Sequence, residues 1–293
     1  MIIPNYNTAE HLVRCLDSLR AQRGAPPLRV HVVDNASSDD SVERVRQGYP
    51  EVRLYTSAYN GGFAYGVNLA LRPLLAGGLT DSDYVLLLNS DTELPPEALA
   101  GLVSFMESHP EAGAVGPKLV MGDGRMDLAC RRSFPTPEVA FYRLCGLSYL
   151  FPRSPRFGRY NLTYLDPDQT AEVDALSGAF MLVRASAAAR VGPLDEAFFF
   201  YGEDLDWAYR IKALGYKVYY YPGVQVRHWK RAASRKQPRQ SLRHFYQAMR
   251  IFHRKHLAPR YPWAVNRLIE LGISLREGLA LLVQTFQRQE DRR

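Results

Sequence analysis

Cysteine is scarce in this sequence, and no long apolar run is present. The 293 residues include three cysteines, Cys15, Cys130 and Cys145, and no two of them form a C-x-x-C pair. This spacing argues against a zinc finger or a disulfide framework and predicts a protein of the reducing cytosol. No window approaches the roughly 18 consecutive apolar residues of a membrane span. The sequence opens on Met1 to Pro4 rather than on a basic and then apolar segment, so we expect no secretory signal and a cytoplasmic location.

Three common catalytic motifs are also missing. No G-x-G-x-x-G follows the first apolar stretch, and G-x-x-x-x-G-K-S/T occurs nowhere, which argues against a dinucleotide site and a P-loop. A G-x-S-x-G elbow is absent too, so an α/β-hydrolase has little support. The residues left to carry chemistry are carboxylates, asparagine-rich loops and one late histidine.

The overall composition is that of a globular protein, but its charge is uneven. Apolar residues make up 46% and charged residues 23%, and the length allows one large domain or two modest ones. Residues 227–293 hold 16 Lys/Arg and 4 Asp/Glu, a net of +12; the other 21 basic and 26 acidic residues give 1–226 a net of −5. The basic tail either meets an anionic surface, membrane or nucleic acid, or is a solvated helical face.

In the first half of the chain, short apolar runs alternate with helical periodicity. The pattern predicts strands over 30–33, 52–55 and 84–88 and helices over 9–21, 41–47, 64–75 and 96–108. We expect Thr92-Glu93 and Pro95-Pro96 to open the last of these helices. Such alternation is typical of βαβ units around a parallel sheet and predicts an α/β fold.

The second half is less regular. Residues 122–169 show no clear period and are interpreted as an irregular excursion over a site. Regular elements then return as a strand over 179–183, a helix over 203–214, a strand over 217–221 that ends at Pro222, and two helices over 240–256 and 263–287.

Polar clusters follow three of the predicted strands. They are Asp34-Asn35, Asn60-Gly61-Gly62 and Asn89-Ser90-Asp91. Ligands of open α/β sheets bind beyond the carboxyl ends of the strands, so we expect all three clusters to line one cleft.

Each cluster also has a purely structural interpretation. Asp34 can accept hydrogen bonds from a base or ribose, or it can form an Asx turn. The two glycines let the backbone approach a ligand at a helix N-terminus, although glycine turns into helices are common. Asp91 can hold Mg²⁺ or Mn²⁺, or it can cap the following helix.

Two further stretches contain titratable side chains. In "FFFYGEDLDWAYR", Glu203, Asp204 and Asp206 are stabilised at a helix start by the helix dipole. Asp204 also shares a helix face with Trp207, and an apolar wall beside a carboxylate raises its pKa, as in a general base. His228 stands near Arg227, Lys230 and Arg231, a cluster that suits a phosphate-bearing ligand unless the histidine is structural.

Taken in order, the motifs resemble one family. "IIPNYN", "VVDNASSDDS", "NGGFAYGVN", "LLLNSDTEL", "SGAFMLVR", "FFYGEDLDWAYR" and "VRHW" together resemble family-2 glycosyltransferases of the GT-A fold, especially the rhamnosyltransferase-like branch, over residues 2–229. The resemblance implies a mixed central sheet flanked by helices, a nucleotide-diphosphate sugar donor, inversion at the anomeric carbon and a role in surface polysaccharide synthesis of the cell envelope.

The resemblance also implies roles for particular residues. Asp204 would deprotonate the acceptor hydroxyl, with Glu203 beside it, and Asp91 and His228 would bind a divalent metal, Mg²⁺ or Mn²⁺. The nucleotide would contact Pro4, Tyr6, Asn7, Asp34, Asn35, Asn60, Gly62, Phe63, Asn68, Asn89 and Ser90. The donor sugar and acceptor would contact Ser177, Gly178, Ala179 and Trp207.

Two features depart from the family pattern. Asn89 stands where the first acid of the D-x-D signature often sits, so we expect a weaker metal site with one acid. The chain begins abruptly before a very short first strand, so we expect a few residues to precede Met1. We predict a catalytic domain over 1–237, with a nucleotide-binding half to about residue 120 and an acceptor-side half after it, and a helical extension over 238–293.

More than one interpretation is open for the sugar donor, for the acceptor and for the role of the tail. The branch favours dTDP-L-rhamnose, with UDP- and GDP-sugars open, and a glycan or polyprenyl-diphosphate-linked acceptor. The tail carries apolar residues at helical spacing, Leu268, Leu271, Leu275, Leu279, Leu282 and Phe286. They predict a peripheral contact with the cytoplasmic face of an anionic membrane, or packing on the catalytic domain, or a homodimer.

Two other classes of function compete with this interpretation. Nucleotidyl transfer would need a basic loop after the first strand, and "PNYNTAEH" contains no Lys or Arg. A nucleic-acid-binding protein could use the basic tail, but Asp34, Asp91 and Asp204 would then have no role.

Overall fold

The computed structural model describes residues 1–77, 79–80, 82–229 and 238–290, with residues 238 and 286–290 described by their backbone alone. The strands in chain order are β1 Ile2–Asn5, β2 His31–Asp34, β3 Arg53–Thr56, β4 Tyr84–Leu88, β5 Thr92–Glu93, β6 Ala112–Met121, β7 Arg131–Arg132, β8 Ala171–Glu172, β9 Ala175–Leu176, β10 Phe180–Arg184 and β11 Lys217–His228. The α-helices are α1 Ala9–Arg20, α2 Ser41–Gly48, α3 Phe63–Ala76, α4 Ala98–Ser108, α5 Pro137–Leu144, α6 Leu147–Leu150, α7 Ala185–Val191, α8 Glu203–Ala213, α9 Pro238–Phe252 and α10 Trp263–Glu290.

The first half of the chain forms the parallel part of the central sheet. β1 lies between β2 and β4, β3 flanks β2, and all four strands are parallel. Every strand and helix predicted for this half is present, with ends within two residues of the prediction. Ile2 and Ile3 point to opposite faces and are both fully buried, as are Val32 and Val33. Both faces of the sheet are therefore covered, which explains why these strands are unbroken apolar runs.

The second half makes the sheet mixed. β10 runs antiparallel to β4 and β6, β11 runs parallel to β6, and β5 pairs antiparallel with β11. The order β3-β2-β1-β4-β10-β6-β11-β5 confirms the predicted α/β fold with a mixed central sheet. β6 has no counterpart among the predicted strands. β7, within the irregular excursion, and β9, just after it, form a separate two-stranded sheet.

Two expectations about β5 and β11 are wrong. β11 does not end at Pro222 but continues to His228, because its register shifts between Tyr221 and Gln225 and so keeps the proline out of the regular ladder. Thr92–Glu93 does not open a helix, because these residues pair with the end of β11. This pairing places His228 beside the predicted metal-binding loop.

The two C-terminal helices pack on the rest of the protein. The ion pair Arg250–Glu277 joins α9 to α10, and Arg254, just after α9, pairs with Glu270 of α10, each at 2.6 Å. α9 in turn shares a buried apolar cluster with α8, in which Phe252 packs near Leu205. Within the described ranges, no helix combines the length and apolar character needed to cross a bilayer.

A buried carboxylate of α8 holds the segment that follows α9. Asp206 is fully buried, and its oxygens lie 2.7 Å from His256 Nε2 and 2.8 Å from Arg210 Nε and Lys255 Nζ. Burial opposes ionisation, but the hydrogen bond with His256 and the charges of Arg210 and Lys255 outweigh it and lower the pKa of Asp206 to about 2. Asp206 therefore belongs to the scaffold beneath the C-terminal helices.

We predict that Asp206→Asn lowers the free energy of unfolding by about 2 kcal/mol, because it removes the buried carboxylate that pairs with Arg210 and Lys255. A carboxylate with a lowered pKa stabilises the fold above its unfolded pKa, and this contribution is lost as the pH falls toward about 2. The difference in Tm between wild type and variant should therefore be large at pH 7 and shrink below about pH 4.

Asp40→Asn is the matched control for this measurement. Asp40 and Arg44 form an ion pair of the same i, i+4 spacing as Asp206 and Arg210, but both partners are exposed. The control variant should unfold at the wild-type Tm. Equal Tm values for wild type and Asp206→Asn at pH 7 would contradict the assigned role.

Candidate active site

A cleft of about 470 Å³ opens at the carboxyl ends of β1, β2 and β4, a volume in the range of small-molecule sites. The sequence-predicted residues that line it are Pro4, Tyr6, Asn35, Asn60, Gly62, Phe63, Asn89, Ser90, Asp91, Ser177, Gly178, Ala179, Glu203, Asp204 and His228. The structure thus brings the three polar clusters together with the later acids and the histidine in one place.

Four predicted residues do not line the cleft, and two of these hold the loop that follows β2. Asp34 lies behind Asn5: its Oδ1 accepts from Asn5 Nδ2 at 3.0 Å, and its Oδ2 accepts from the backbone N–H of Ser37 at 2.9 Å. Asn7 has a left-handed φ of 55°, and its Oδ1 accepts from the backbone N–H of Ser38 at 2.7 Å. Both side chains hold the loop after β2, so Asn5, which the sequence does not single out, stands where Asp34 was expected.

The other two lie in the core. Asn68 Nδ2 donates to Leu194 O at 2.9 Å, and Asn68 Oδ1 accepts from Leu194 N at 3.0 Å. Trp207 is fully buried and donates its Nε1–H to Gly192 O at 3.0 Å. The prediction that they contact nucleotide and sugar is wrong, because both side chains are already packed against the segment that precedes α8.

The glycine loop before α3 forms one wall of the cleft. Gly62 has a φ of 92°, and a Cβ there would lie 2.2 Å from Phe199 O. The loop is held on both sides: Phe63 N–H donates to Phe199 O at 2.8 Å, and Asn35 Nδ2 donates to Gly62 O at 3.0 Å. This close approach of two backbones requires glycine at position 62.

At the end of β4, three side chains form a carboxylate–imidazole–carboxylate cluster. His228 Nε2 lies 3.3 Å from Asp91 Oδ1, and His228 Nδ1 lies 3.3 Å from Asp127 Oδ2. The pairing of His228 with Thr92 and a hydrogen bond from Trp229 N–H to Asp91 O at 2.9 Å determine this arrangement. Asp127 comes from the irregular excursion and belongs to no motif, so the sequence does not point to it.

The electrostatics of the cluster follow from its geometry. Burial opposes protonation of His228, but the two carboxylates outweigh it and raise the pKa of His228 to about 9. Burial likewise disfavours ionised Asp91, yet its hydrogen bond with the imidazole lowers the pKa of Asp91. Without a metal, the cluster therefore holds one positive charge between two negative ones.

These side chains fit the implied divalent metal. An imidazole that ligates a metal usually has its other nitrogen hydrogen-bonded to a carboxylate, which is the relation of Asp127 to His228. That leaves His228 Nε2 and Asp91 as donors, one imidazole nitrogen and one carboxylate. In the part of the chain that the structure describes, no three His, Cys, Asp or Glu side chains form a ready-made cage. Phosphate oxygens and water would have to complete the shell, as is common for Mg²⁺ and Mn²⁺.

A second pair of acids lines the cleft at the start of α8. Asp204 Oδ2 accepts from Arg132 Nη2 at 2.6 Å and from Gly178 N–H at 3.0 Å, and its Oδ1 accepts from Leu205 N–H at 2.7 Å. Arg132 is buried and also donates to Leu176 O. The sequence does not single out this arginine, because it stands in the excursion without a motif.

Glu203 has a different environment from its neighbour. Its Oε2 is buried and has no hydrogen-bond partner among the described residues. Burial, together with the charge of Asp204, raises the pKa of Glu203 to about 8. Glu203 is therefore protonated at neutral pH. The guanidinium of Arg132 donates a hydrogen bond to Asp204 rather than to Glu203.

Aromatic and basic side chains complete the walls. Phe199, Phe200, Tyr201 and, from α9, Phe245 lie on one side, and Arg143, Tyr160 and Asn161 of the excursion lie on another. Among the described residues, the arginines that line the cleft are Arg132 and Arg143, and neither belongs to the expected group near His228. Arg227 does not line the cleft, and Lys230 and Arg231 lie outside the described residues.

Comparison with known proteins shows the family of this chain. Residues 1–188 match the model of the family described as "Glycosyl transferase family 2", and the chain belongs to this family. Its mixed central sheet flanked by helices is that of the GT-A fold, as predicted. Membership of the family leaves the nucleotidyltransferase and nucleic-acid-binding alternatives without support.

The chain is similar to three glycosyltransferases of known type. An N-acetylglucosaminyl-diphospho-decaprenol L-rhamnosyltransferase of Mycobacterium tuberculosis is 30% identical over 100% of this chain and 95% of its own length. The rhamnosyltransferase WbbL of Escherichia coli K12 is 26% identical over 78% of this chain and 82% of its own. A solved mannosyltransferase from Pyrobaculum calidifontis, in complex with GDP-Man and Mn²⁺, superposes with a TM-score of 0.56 at 21% identity over 96% of this chain and 70% of its own.

We predict that Gly62→Ala weakens nucleotide binding and lowers the Tm. The new Cβ meets Phe199 O and a left-handed φ, so strain of roughly 1–3 kcal/mol must be relieved by moving the loop. Gly48→Ala is the control, because a Cβ at Gly48 has nothing within 4 Å. Thermal unfolding and nucleotide titration of both variants check this, and wild-type affinity in Gly62→Ala would show that the loop does not border the nucleotide.

Proposed function

We propose that this protein transfers L-rhamnose, with inversion, from dTDP-L-rhamnose to a polyprenyl-diphosphate-linked glycan during surface polysaccharide synthesis. One observation carries the reaction type: a single cleft contains both the Asp91–His228 pair and the separate acids Glu203 and Asp204. The choice of sugar and lipid-linked acceptor is supported by the full-length similarity to the mycobacterial L-rhamnosyltransferase. We further propose that the reaction takes place on the cytoplasmic side of the membrane.

Asp204 is the proposed general base. In an inverting transfer, the acceptor oxygen attacks the anomeric carbon from the face opposite the leaving nucleotide, while a carboxylate takes its proton. The contacts of Asp204 with Arg132 and with the N–H groups of Gly178 and Leu205 hold this carboxylate in one orientation. The loop that carries Gly178 also borders the proposed sugar site, so base and sugar are positioned together.

Glu203 has a different proposed role. Its raised pKa of about 8 keeps it neutral at pH 7, so it can donate a hydrogen bond in the cleft but is a poor proton acceptor. Its neutrality also avoids a second negative charge beside Asp204.

The leaving group is the proposed partner of the Asp91 end of the cleft. Asp91 and His228 would hold the divalent metal, and Asp127 would orient the imidazole. When bound, the metal would neutralise the charge that develops on the departing diphosphate. Because Asn89 contributes no charge, we expect Asp91 to be the only acid of the signature that binds it.

We predict that Asp204→Asn lowers kcat by about 10²–10⁴, because the amide cannot take the proton of the acceptor, and that it lowers the Tm, because the buried Arg132 loses its counter-charge. At temperatures where the variant is folded, the donor affinity should remain nearly unchanged. Glu203→Gln, which imitates the protonated acid, is the matched variant and should keep kcat within a few-fold. Transfer assays and nucleotide titrations of both variants test this. Loss of transfer in Glu203→Gln with retention in Asp204→Asn would move the base to Glu203.

A panel of nucleotides with and without metal tests the donor class. We predict that dTDP raises the Tm more than UDP or GDP does, and that Mn²⁺ or Mg²⁺ increases the shift, since a ligand at 100 times its Kd stabilises by about 2.7 kcal/mol. His228→Ala should lose the metal-dependent part and keep the nucleotide-dependent part. A larger shift with UDP or GDP would replace dTDP-rhamnose as donor, and no shift with any nucleotide would overturn the proposed function.

The tail contributes a separate contact surface. Leu268, Leu271, Leu275, Leu279 and Leu282 are all more than half exposed, so the expectation that they pack on the catalytic domain is wrong. The side chain of Phe286 lies outside the described residues.

We propose that this leucine stripe of α10 pairs with a second copy of the chain. α10 contains three arginines and three glutamates, and this balance offers an anionic membrane no net attraction. Light scattering should give a dimer for the wild type and a monomer for Leu271→Glu/Leu275→Glu. A wild-type monomer at all concentrations would exclude the contact.

A further inference from the structure

Four large apolar side chains of the irregular excursion are more than half exposed. Phe141, Tyr149, Leu150 and Phe151 are 57%, 70%, 71% and 52% exposed, and they lie on or just after the short helices α5 and α6. α6 contains no buried residue at all, so its apolar side chains do not contribute to the core. A cluster of this kind on a folded protein marks a binding surface.

The cluster is presented by an ordered scaffold. Tyr142 is buried behind it, donates to Glu138 Oε1 at 2.6 Å and accepts from Arg156 Nε at 2.7 Å. The ring of Phe157 packs edge-to-face on Tyr142 with centroids 4.9 Å apart. These contacts hold α5 and the following loop against each other while the four apolar side chains point outward.

The charge around the cluster identifies the kind of partner. Residues 137–161 contain four arginines and one acid, Glu138, a net of +3, whereas residues 1–226 as a whole carry −5. Arg153, Arg156 and Arg159 are exposed. Tyrosine, phenylalanine and leucine flanked by arginine are typical of surfaces that enter the headgroup region of an anionic bilayer, with the apolar groups inserted and the guanidinium groups at the phosphates.

We propose that the excursion patch, formed by the four apolar residues and the three exposed arginines, binds an anionic membrane surface. The same excursion supplies Arg143, Tyr160 and Asn161 to the cleft, so a bilayer seated on the patch lies next to the active site. The benefit for catalysis rests on the proposed lipid-linked acceptor, whose diphosphate headgroup would be delivered at this wall. The membrane contact itself requires neither donor nor acceptor.

Co-sedimentation of the full chain with vesicles tests the contact. We expect binding to phosphatidylcholine vesicles that contain about one-third phosphatidylglycerol, and weak binding to pure phosphatidylcholine, because each arginine near an anionic surface contributes about fivefold to the affinity. Leu150→Ser/Phe151→Ser and Arg153→Gln/Arg159→Gln should each weaken binding at least about fivefold. Trp263→Ser at the start of α10, which removes an apolar side chain that is 76% exposed and lies outside the leucine stripe, is the control and should bind like the wild type.

A second measurement avoids any variant that alters the patch. Cys145 is the exposed cysteine of the turn between α5 and α6, while Cys15 and Cys130 are buried. An environment-sensitive fluorophore on Cys145 should shift to the blue when anionic vesicles are added to otherwise wild-type protein.

Several outcomes would overturn the proposal. They are no vesicle binding by the wild type, equal binding of the patch variants, loss of binding in the α10 control alone, or an unchanged Cys145 spectrum. Vesicle binding is measured without substrates, so these failures leave the nucleotide panel standing. Conversely, patch variants that lose binding should still transfer sugar to a water-soluble acceptor that lacks the polyprenyl chain, since none of the substituted residues lines the cleft.

Discussion

The buried ion pair between Arg132 and Asp204 is the interaction on which the cleft depends. It joins three parts of the chain: the excursion through Arg132, the sugar-side loop through Gly178, and the start of α8 through Asp204. A buried charge pair is tolerated only when its geometry is good and its remaining donors and acceptors are satisfied. Here Arg132 also donates to Leu176 O, and Asp204 accepts two backbone N–H groups. Removing either partner would leave a charge without compensation at the centre of the site.

This pair also separates the roles of the two neighbouring acids. Asp204 accepts a hydrogen bond from the guanidinium of Arg132, whereas Glu203 Oε2 has no hydrogen-bond partner among the described residues. Burial beside Asp204 raises the pKa of Glu203 to about 8, so Glu203 is neutral near pH 7. The other end of the cleft repeats the principle with an imidazole between Asp91 and Asp127. At each end, a basic side chain thus holds a carboxylate in a defined orientation, which suits a reaction that needs a base and a stabilised leaving group.

The excursion and the C-terminal helices add side chains to the cleft that the central sheet does not supply. Residues of the excursion supply Asp127 and Arg132 to the two ends of the cleft and Arg143 to its wall, and α9 adds Phe245. Their outer surfaces differ in charge: the excursion is basic and aromatic, whereas α10 is neutral and rich in leucine. We therefore propose that the excursion binds a lipid surface and that α10 binds a second copy of the chain.

By itself the sequence determined the βαβ half, its helix ends within two residues, and the family, because apolar periodicity and ordered motifs are local properties. From the sequence we also predicted that most of the cleft residues lie at one edge of the sheet. The prediction missed β6, whose Gly113, Gly116 and Pro117 weaken its strand pattern, although neighbouring strands supply its hydrogen bonds. Only the tertiary structure decided that Trp207 faces the core and that Asp127 and Arg132 complete the site. Periodicity shows which residues share a face, but what packs against that face depends on contacts between residues far apart in the chain.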